Sequence, residues 1–252
     1  MPTELPSDLD VAWPRLELGD PIDGGYRSDV RWGRLGGRDV VVRRSARPSD
    51  ALVWELDLLV DLDRRGVRVP APIRASDGAL HHDGVVVQPF VDGRAPEGAD
   101  DWARVAVMVR RLHQLTIGAR QRPGFASAAE LQRSTRGGDV DLDAMPPDVV
   151  DEVRACWRRV AVGPSCVVHG DLGAANVVIG ADGRATLLDW DEARVDVPWF
   201  DLGDLPLDLP VGGPSAAHVR AASLAWEVAT CWVAEPEYAR TRWADLRALE
   251  VA

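Results

Sequence analysis

At 252 residues, 46% hydrophobic and 27% charged, the chain is long for one core and short for two independent domains, so two lobes sharing a cleft are expected. Its formal net charge of −11 argues against nucleic acid, which is held by neutralising phosphates with basic side chains; an acidic protein attracts cations instead, although plain solubility accounts for the charge equally well. No apolar run approaches the ~20 residues that span a bilayer, and the N-terminus, with Glu4, Asp8 and Asp10, lacks the basic and apolar regions of a signal peptide.

A cytoplasmic location is therefore expected. Cys156, Cys166 and Cys231 lie far apart without metal-ligand spacing and read as small buried residues in a reducing compartment. Residues 1–19, with three prolines and many acids, read as a tail or loosely packed lead-in. Strands are expected over 21–44: residues 26–34 alternate weakly, Gly36-Gly37 makes a turn, and residues 39–44 are β-branched. Arg43 shares a strand face with Val41, and Arg44 faces the other way. Pro48-Ser49-Asp50 starts a helix whose Leu52, Leu56, Leu59 and Leu62 recur at helical spacing until Arg64-Arg65 and Gly66 end it. Glu55 falls inside that apolar stripe. An inward carboxylate needs a partner, and Arg43 is the natural one; the alternative is a Glu55 that flanks the stripe and reaches water.

Residues 69–73 read as extended, and Asp77-Gly78 and Asp83-Gly84 as turns either side of a short strand, with His81-His82 as surface residues at its tip. Residues 85–91 are a buried strand running into Asp92-Gly93. An amphipathic helix over 102–115 presents Val105, Met108, Leu112 and Leu115 on one face. Residues 118–147 look the least ordered, with Gly124, Gly137-Gly138, the acidic Asp139, Asp141 and Asp143, and Pro146-Pro147. Pro147-Asp148 opens a further helix with Val149, Val153, Cys156, Trp157 and Val160 buried, and two more helices are expected over 215–233 and 236–251.

Between them lies the stretch that carries chemistry. An apolar run ends in His169-Gly170-Asp171, a loop of small residues leads to Asn176, and a hairpin through Gly180-Ala181-Asp182-Gly183 leads to Leu187-Leu188-Asp189-Trp190-Asp191. The hairpin would bring Asn176 and Asp189 to one end of two paired strands, beside the loop of Asp171. Two acids and an amide at one point suit phosphoryl transfer: Mg2+ takes one or two oxygen ligands from protein, and a carboxylate accepts the proton of an attacking hydroxyl.

These residues, His169-Gly170-Asp171-x4-Asn176, Asp189-Trp190-Asp191 and Asp196-x-Pro198-x-x-Asp201-Leu202-Gly203, closely resemble the aminoglycoside phosphotransferase/choline kinase family of small-molecule kinases, over roughly residues 24–205. The resemblance implies an α+β, bilobal protein-kinase-like fold: an antiparallel-sheet N-lobe over residues 1–91 and a mainly helical C-lobe over 92–252. It implies Asp171 as catalytic base, Asn176 and Asp189 as Mg2+ ligands, and His169 and Asp201 as structural support of the catalytic loop. Arg43 stands where kinases place the phosphate-binding Lys, in a chain with no Lys at all, and Glu55 would steady it; Arg44 is the fallback and a solvated pair of strand-end arginines the duller alternative. Residues 88–91, including Gln88, Phe90 and Val91, should form the hinge whose backbone meets the adenine edge. Gly24-Gly25 offers either a short phosphate-facing loop in place of a glycine triplet or only a turn, and His113 matches the family's Leu-His and reads as a core or loop-bracing histidine. In the resembled enzymes an insertion at 118–147 helps cover the acceptor.

The expected function is transfer of phosphate from ATP or GTP, with Mg2+, to a hydroxyl of a small polar acceptor. The acidic charge and the resembled family together favour a cationic one, an aminoglycoside or other basic antibiotic, with Asp191, Glu192, Asp139, Asp141 and Glu227 as candidate acceptor contacts, against a solvated acidic loop. A metabolic kinase for choline, a sugar or an amino alcohol is the nearest rival, and a silent pseudokinase binding module the rival from another class.

Overall fold

The computed structural model describes residues 6, 9–22, 29–203, 205 and 213–249, in two compact units: residues up to Arg94 with Val178–Leu188, and Ala95–Val177 with the residues from Asp189 onward. The first unit contains α1 (Leu9–Ala12), β1 (Leu16–Pro21), β2 (Asp29–Leu35), β3 (Arg38–Arg44), α2 (Ser49–Arg64) and β4 (Val85–Pro89). Its four strands form one antiparallel sheet in the order β1-β2-β3-β4. Gly36 and Gly37, at φ +57° and +82°, supply the left-handed pair that the two-residue turn between β2 and β3 requires. Period-two alternation then sorts β3: Val40 and Val42 are buried with Val85, Val87 and Ala75, whereas Val41 and Arg43 take the opposite face. Along α2, Leu52, Leu56, Leu59 and Leu62 are all buried to 1% or less. Each contributes about 1.5–3 kcal/mol by area, an upper estimate.

The lead-in corrects the expectation of a tail. Residues 9–21 form α1 and β1, and Trp13 is buried with its Nε1 donating to the Ile73 carbonyl at 2.8 Å. Five of the six residues of β1 are exposed, so backbone pairing to β2 holds it and no hydrophobic alternation announces it. The short strand expected between Asp77 and Asp83 is likewise only an isolated bridge from His82 to Val85.

The second unit opens with α3 (Gly98–Leu115), the short pair β5 (Arg136–Gly137) and β6 (Val140–Asp141), α4 (Pro147–Val160) and β7 (Cys166–Val168). The hairpin of β8 (Val177–Ile179) and β9 (Ala185–Leu187) follows; from Val178 it is grouped with the first unit, through the Arg94–Ile179 bridge and the Arg68–Asp182 ion pair. The second unit resumes with β10 (Arg194–Asp196), α5 (Trp199–Leu202), α6 (Ala216–Cys231) and α7 (Pro236–Ala248). Its core joins α4 and α6, with Trp157 and Trp226 at 5.4 Å between ring centres. Residues 118–147, expected to be loose, are built into that core by Ala126, Ala128, Leu131, Val140, Leu142 and Met145. Arg154 of α4 also donates to the carbonyls of Leu131 and Ser134 at 3.0 and 2.9 Å. β10 pairs antiparallel with β7, Val195 opposite Val167, which sets the segment after Asp189 against the strand that ends just before His169. The three cysteines are buried and none forms a disulfide, and no helix among the described residues is long and apolar enough to cross a membrane.

Candidate active site

Three fully buried residues, Cys166, Val167 and Val168, deliver the chain to His169-Gly170-Asp171. The loop that follows is held by its backbone. Asp201, wholly buried at the start of α5, accepts from the His169 N–H through Oδ2 and from the Gly170 N–H through Oδ1, both at 2.9 Å. His113 Nε2 meets the same Oδ2 at 2.7 Å. Burial alone would raise the Asp201 pKa; the His113 hydrogen bond and charge and the Gly170 N–H outweigh it and hold the carboxyl below the usual carboxylate range. His169 is fully buried, its Nδ1 accepting from the Asp171 N–H at 3.4 Å and its ring 4.8 Å from that of Trp190. Gly170 has φ +85°, and a Cβ there would lie 2.7 Å from the Glu192 carbonyl and 2.8 Å from Arg194 Nη1. Only glycine fits.

On this support Asp171 is exposed. Asn176, at the end of a single 3₁₀ turn, donates from Nδ2 to the Asp171 carbonyl at 2.9 Å and to its carboxylate Oδ2 at 2.8 Å. Asn176 directly precedes β8 and Asp189 lies two residues beyond β9, so the hairpin returns the chain to the end it left. Asp189 is exposed at φ +54°, a left-handed conformation that residues other than glycine rarely hold.

The segment after Asp189 is pinned by residues that sequence reasoning passed over. Arg122, 1% exposed, directs Nη1 to the carbonyls of Trp190, Asp191 and Ala193 at 3.3, 2.9 and 3.2 Å. Gln121 bonds both backbone groups of Val195, at 2.8 and 2.9 Å. Arg194 is fully buried, 3.4 Å over the Trp226 ring, and pairs through Nε with Asp196 Oδ2 at 3.1 Å. Burial disfavours both charges, pushing Arg194 down and Asp196 up, and each is the other's compensation.

Of the candidate acceptor contacts, the fold brings three together: Asp139, Asp191 and Glu192, all half-buried, offer oxygens within 4.8 Å of one another. The other two lie outside this cluster. Asp141 accepts from the Asp143 N–H and pairs with Arg136, and Glu227 accepts from the Tyr238 hydroxyl.

In the first unit Glu55 is fully buried and pairs with Arg43 Nη2, while Arg43 Nε donates to Gln88 Oε1 at 3.1 Å. The Gln88 side chain is committed further, its Nε2 donating to the Pro70 carbonyl at 2.6 Å. Phe90 is partly exposed and packs on Trp32 with ring centres 4.4 Å apart; its N–H donates to the Asp39 carbonyl. Val91 beside it is half-buried. Arg44 lines a different concavity, of about 430 Å³, with Arg47, Ser49 and His81. Gly24-Gly25 lies outside the described residues.

Solved structures share this fold over nearly the whole chain. Choline kinase from Streptococcus pneumoniae aligns over 92% of this chain and 93% of its own, with a TM-score of 0.66 at 15% identity. A macrolide 2'-phosphotransferase from Brachybacterium faecium covers 98% and 99%, with 0.61 at 20%, and a spectinomycin phosphotransferase complexed with ADP and spectinomycin covers 93% and 87%, with 0.62 at 13%. No curated protein matches by sequence. At these identities the likeness speaks for the protein-kinase-like fold alone, and the family rests on a model described as "Phosphotransferase enzyme family", which matches residues 19–243. With that match over most of its length, the chain belongs to the phosphotransferase enzyme family and is a small-molecule kinase with an alcohol group as acceptor.

Proposed function

We propose that the protein transfers the γ-phosphoryl group of ATP or GTP to a hydroxyl of a small molecule bearing primary or secondary amines, an aminoglycoside or other basic antibiotic being the favoured acceptor. The observation that carries the catalytic reading is the exposed Asp171 carboxylate, oriented by Asn176 on a loop whose backbone N–H groups are tied to Asp201. Asp171 accepts the proton of the acceptor hydroxyl while its oxygen bonds to the γ-phosphorus and the bond to the β–γ bridging oxygen breaks, releasing a nucleoside diphosphate. The transition state is loose, so positioning and charge neutralisation carry most of the catalysis.

Hard oxygen donors suit Mg2+, and the Asn176 carbonyl oxygen with the Asp189 carboxylate are such a set. A Mg2+ ion held by these two residues would supply charge neutralisation to the transferring phosphate. Arg43 has Nε and Nη2 engaged with Gln88 and Glu55, so Nη1 is the nitrogen it offers to phosphate.

Asp139, Asp191 and Glu192 favour the amine-bearing acceptor. Carboxylates bind N–H donors well, whereas a quaternary ammonium such as choline has none and prefers aromatic faces. An amino alcohol with a primary amine satisfies the same cluster and is the second reading. A nucleoside-diphosphate-release screen over aminoglycosides, macrolides, amino alcohols, choline and simple sugars tests the acceptor; turnover confined to uncharged sugars refutes it. Asp171→Asn should lower kcat by about 10²–10⁴ while nucleotide binding persists. Wild-type turnover in that variant removes Asp171 as the base.

A further inference from the structure

The residues after Asp189 have no regular structure until β10 begins at Arg194, yet Trp190 and Ala193 are buried. Backbone carbonyls in such a segment need donors, and one guanidinium supplies them. Arg122 Nη1 reaches the carbonyls of Trp190, Asp191 and Ala193, beginning at the residue that follows Asp189. Next to it Gln121 fixes both backbone groups of Val195. A left-handed backbone at a residue with a side chain persists only where its surroundings over-determine it, and Asp189 sits at φ +54° at the head of this clamp.

The same guanidinium leads towards the acidic cluster. Its Cζ lies 4.3 Å over the Phe125 ring, and that ring closes on Gly138, where a Cβ would come within 2.9 Å of it. Gly138 donates its N–H to the Gly124 carbonyl and is followed by Asp139. Asp139 in turn has its oxygens beside those of Asp191 and Glu192, on the clamped segment.

We infer that Arg122, with Gln121, is a positioning residue: it sets the backbone of residues 190–195, thereby aiming Asp189 at its cation and keeping Asp191 and Glu192 in register with Asp139. The inference rests on the reading of Asp189 as a metal ligand. Removal of a partner that orients a metal ligand costs about 10–100-fold in metal affinity. Arg122→Gln should therefore weaken cation binding by at least about tenfold, and raise the KM for an amine-bearing acceptor. Arg122→Lys should recover part of both, because an ammonium has three donors for three carbonyls but no plane to stack on Phe125. Arg154→Gln is the control: Arg154 also donates to backbone carbonyls of the 121–145 segment, at Leu131 and Ser134, away from the clamped residues.

The experiment is a Mn2+ titration of the full chain with a non-hydrolysable ATP analogue, read from the electron paramagnetic resonance signal of free Mn2+, on wild type and the three variants. Weakened binding in Arg122→Gln, intermediate binding in Arg122→Lys and wild-type binding in Arg154→Gln support the assignment. Equal affinity of Arg122→Gln and wild type overturns it whatever the melting temperatures, and so does equal loss in Arg122→Gln and Arg154→Gln. Should Arg122→Gln not fold, Arg122→Lys and Gln121→Ala carry the same comparison, wild-type affinity in both being the refuting result. Absence of Mn2+ binding by wild type itself overturns the reading of Asp189 and this inference together.

Discussion

Asp201 concentrates the electrostatics beneath the loop from His169 to Asn176 in one carboxylate, fully buried and bonded to two backbone N–H groups and to His113. Its pKa is held below the ordinary value, so it adds stability above the unfolded carboxylate pKa of about 3.9, and that contribution is lost as pH falls through the lower, folded pKa. His113 provides the largest of the lowering influences. His113→Ala should cost about 1.5–3 kcal/mol, the range for a hydrogen bond to a charged group, and should move the acid limb of the stability curve to higher pH. Urea midpoints between pH 2.5 and 6 for the two proteins check this; coincident acid limbs would show that His113 does not govern Asp201. Arg122 and Arg194 show the opposite case, residues that matter without a signal in the sequence. Every one of the 29 cations is Arg, so neither composition nor spacing separates a buried structural Arg from a solvated one.

At the scale of elements, what could be read from the sequence follows from how each element is held. The helices α2 and α4 bury an apolar face, and a period of 3.6 is visible in any window that contains one, whereas α6 is buried nearly all round and shows as an apolar run. Glu55 was legible for the same reason, as a carboxylate inside an apolar stripe with Arg43 on the strand before it. α1, β1 and residues 118–147 show no such period: besides scattered buried apolar residues they are held by a Trp13 indole on a carbonyl, backbone pairing of an exposed strand, and Gln121, Arg122 and Arg154 on backbone groups. Such bonds join residues distant in sequence and leave no periodicity. The Asp171–Asn176 contact was legible because five residues and one turn span it, whereas the Asp139–Asp191–Glu192 cluster joins segments about fifty residues apart. The Arg43–Glu55 pair has its own test. Removing one partner of a buried ion pair costs about 3–5 kcal/mol, so Glu55→Ala should destabilise the first unit by that order. With Arg43 Nη2 released from Glu55, nucleotide KM should rise more than kcat falls. A KM unchanged in steady-state kinetics would separate the pair from phosphate binding.

For the whole molecule, the charge of −11 and the acidic cluster make competing claims on the proposed cationic acceptor. A net charge acts as a diffuse field, screened over about 8 Å at physiological ionic strength, and governs encounter more than residence. A cluster acts through contacts, each charged hydrogen bond worth about 1.5–3 kcal/mol, or about tenfold and more in affinity. Two double substitutions separate them, because both change the net charge from −11 to −9 by neutralising two acids. Asp139→Asn with Asp191→Asn removes two members of the cluster, and Asp57→Asn with Asp63→Asn removes two exposed acids of α2 in the other unit. If contacts govern recognition, the first pair should raise the KM for a polyamine acceptor about tenfold or more, with nucleotide KM unchanged, and the second should leave both alone. If the field governs, the two variants should show equal, small rises that vanish at high salt. Steady-state kinetics of both variants at about 0.05 and 0.5 M salt decides between them, since the Debye length falls from beyond the reach of a contact to about its length across that range.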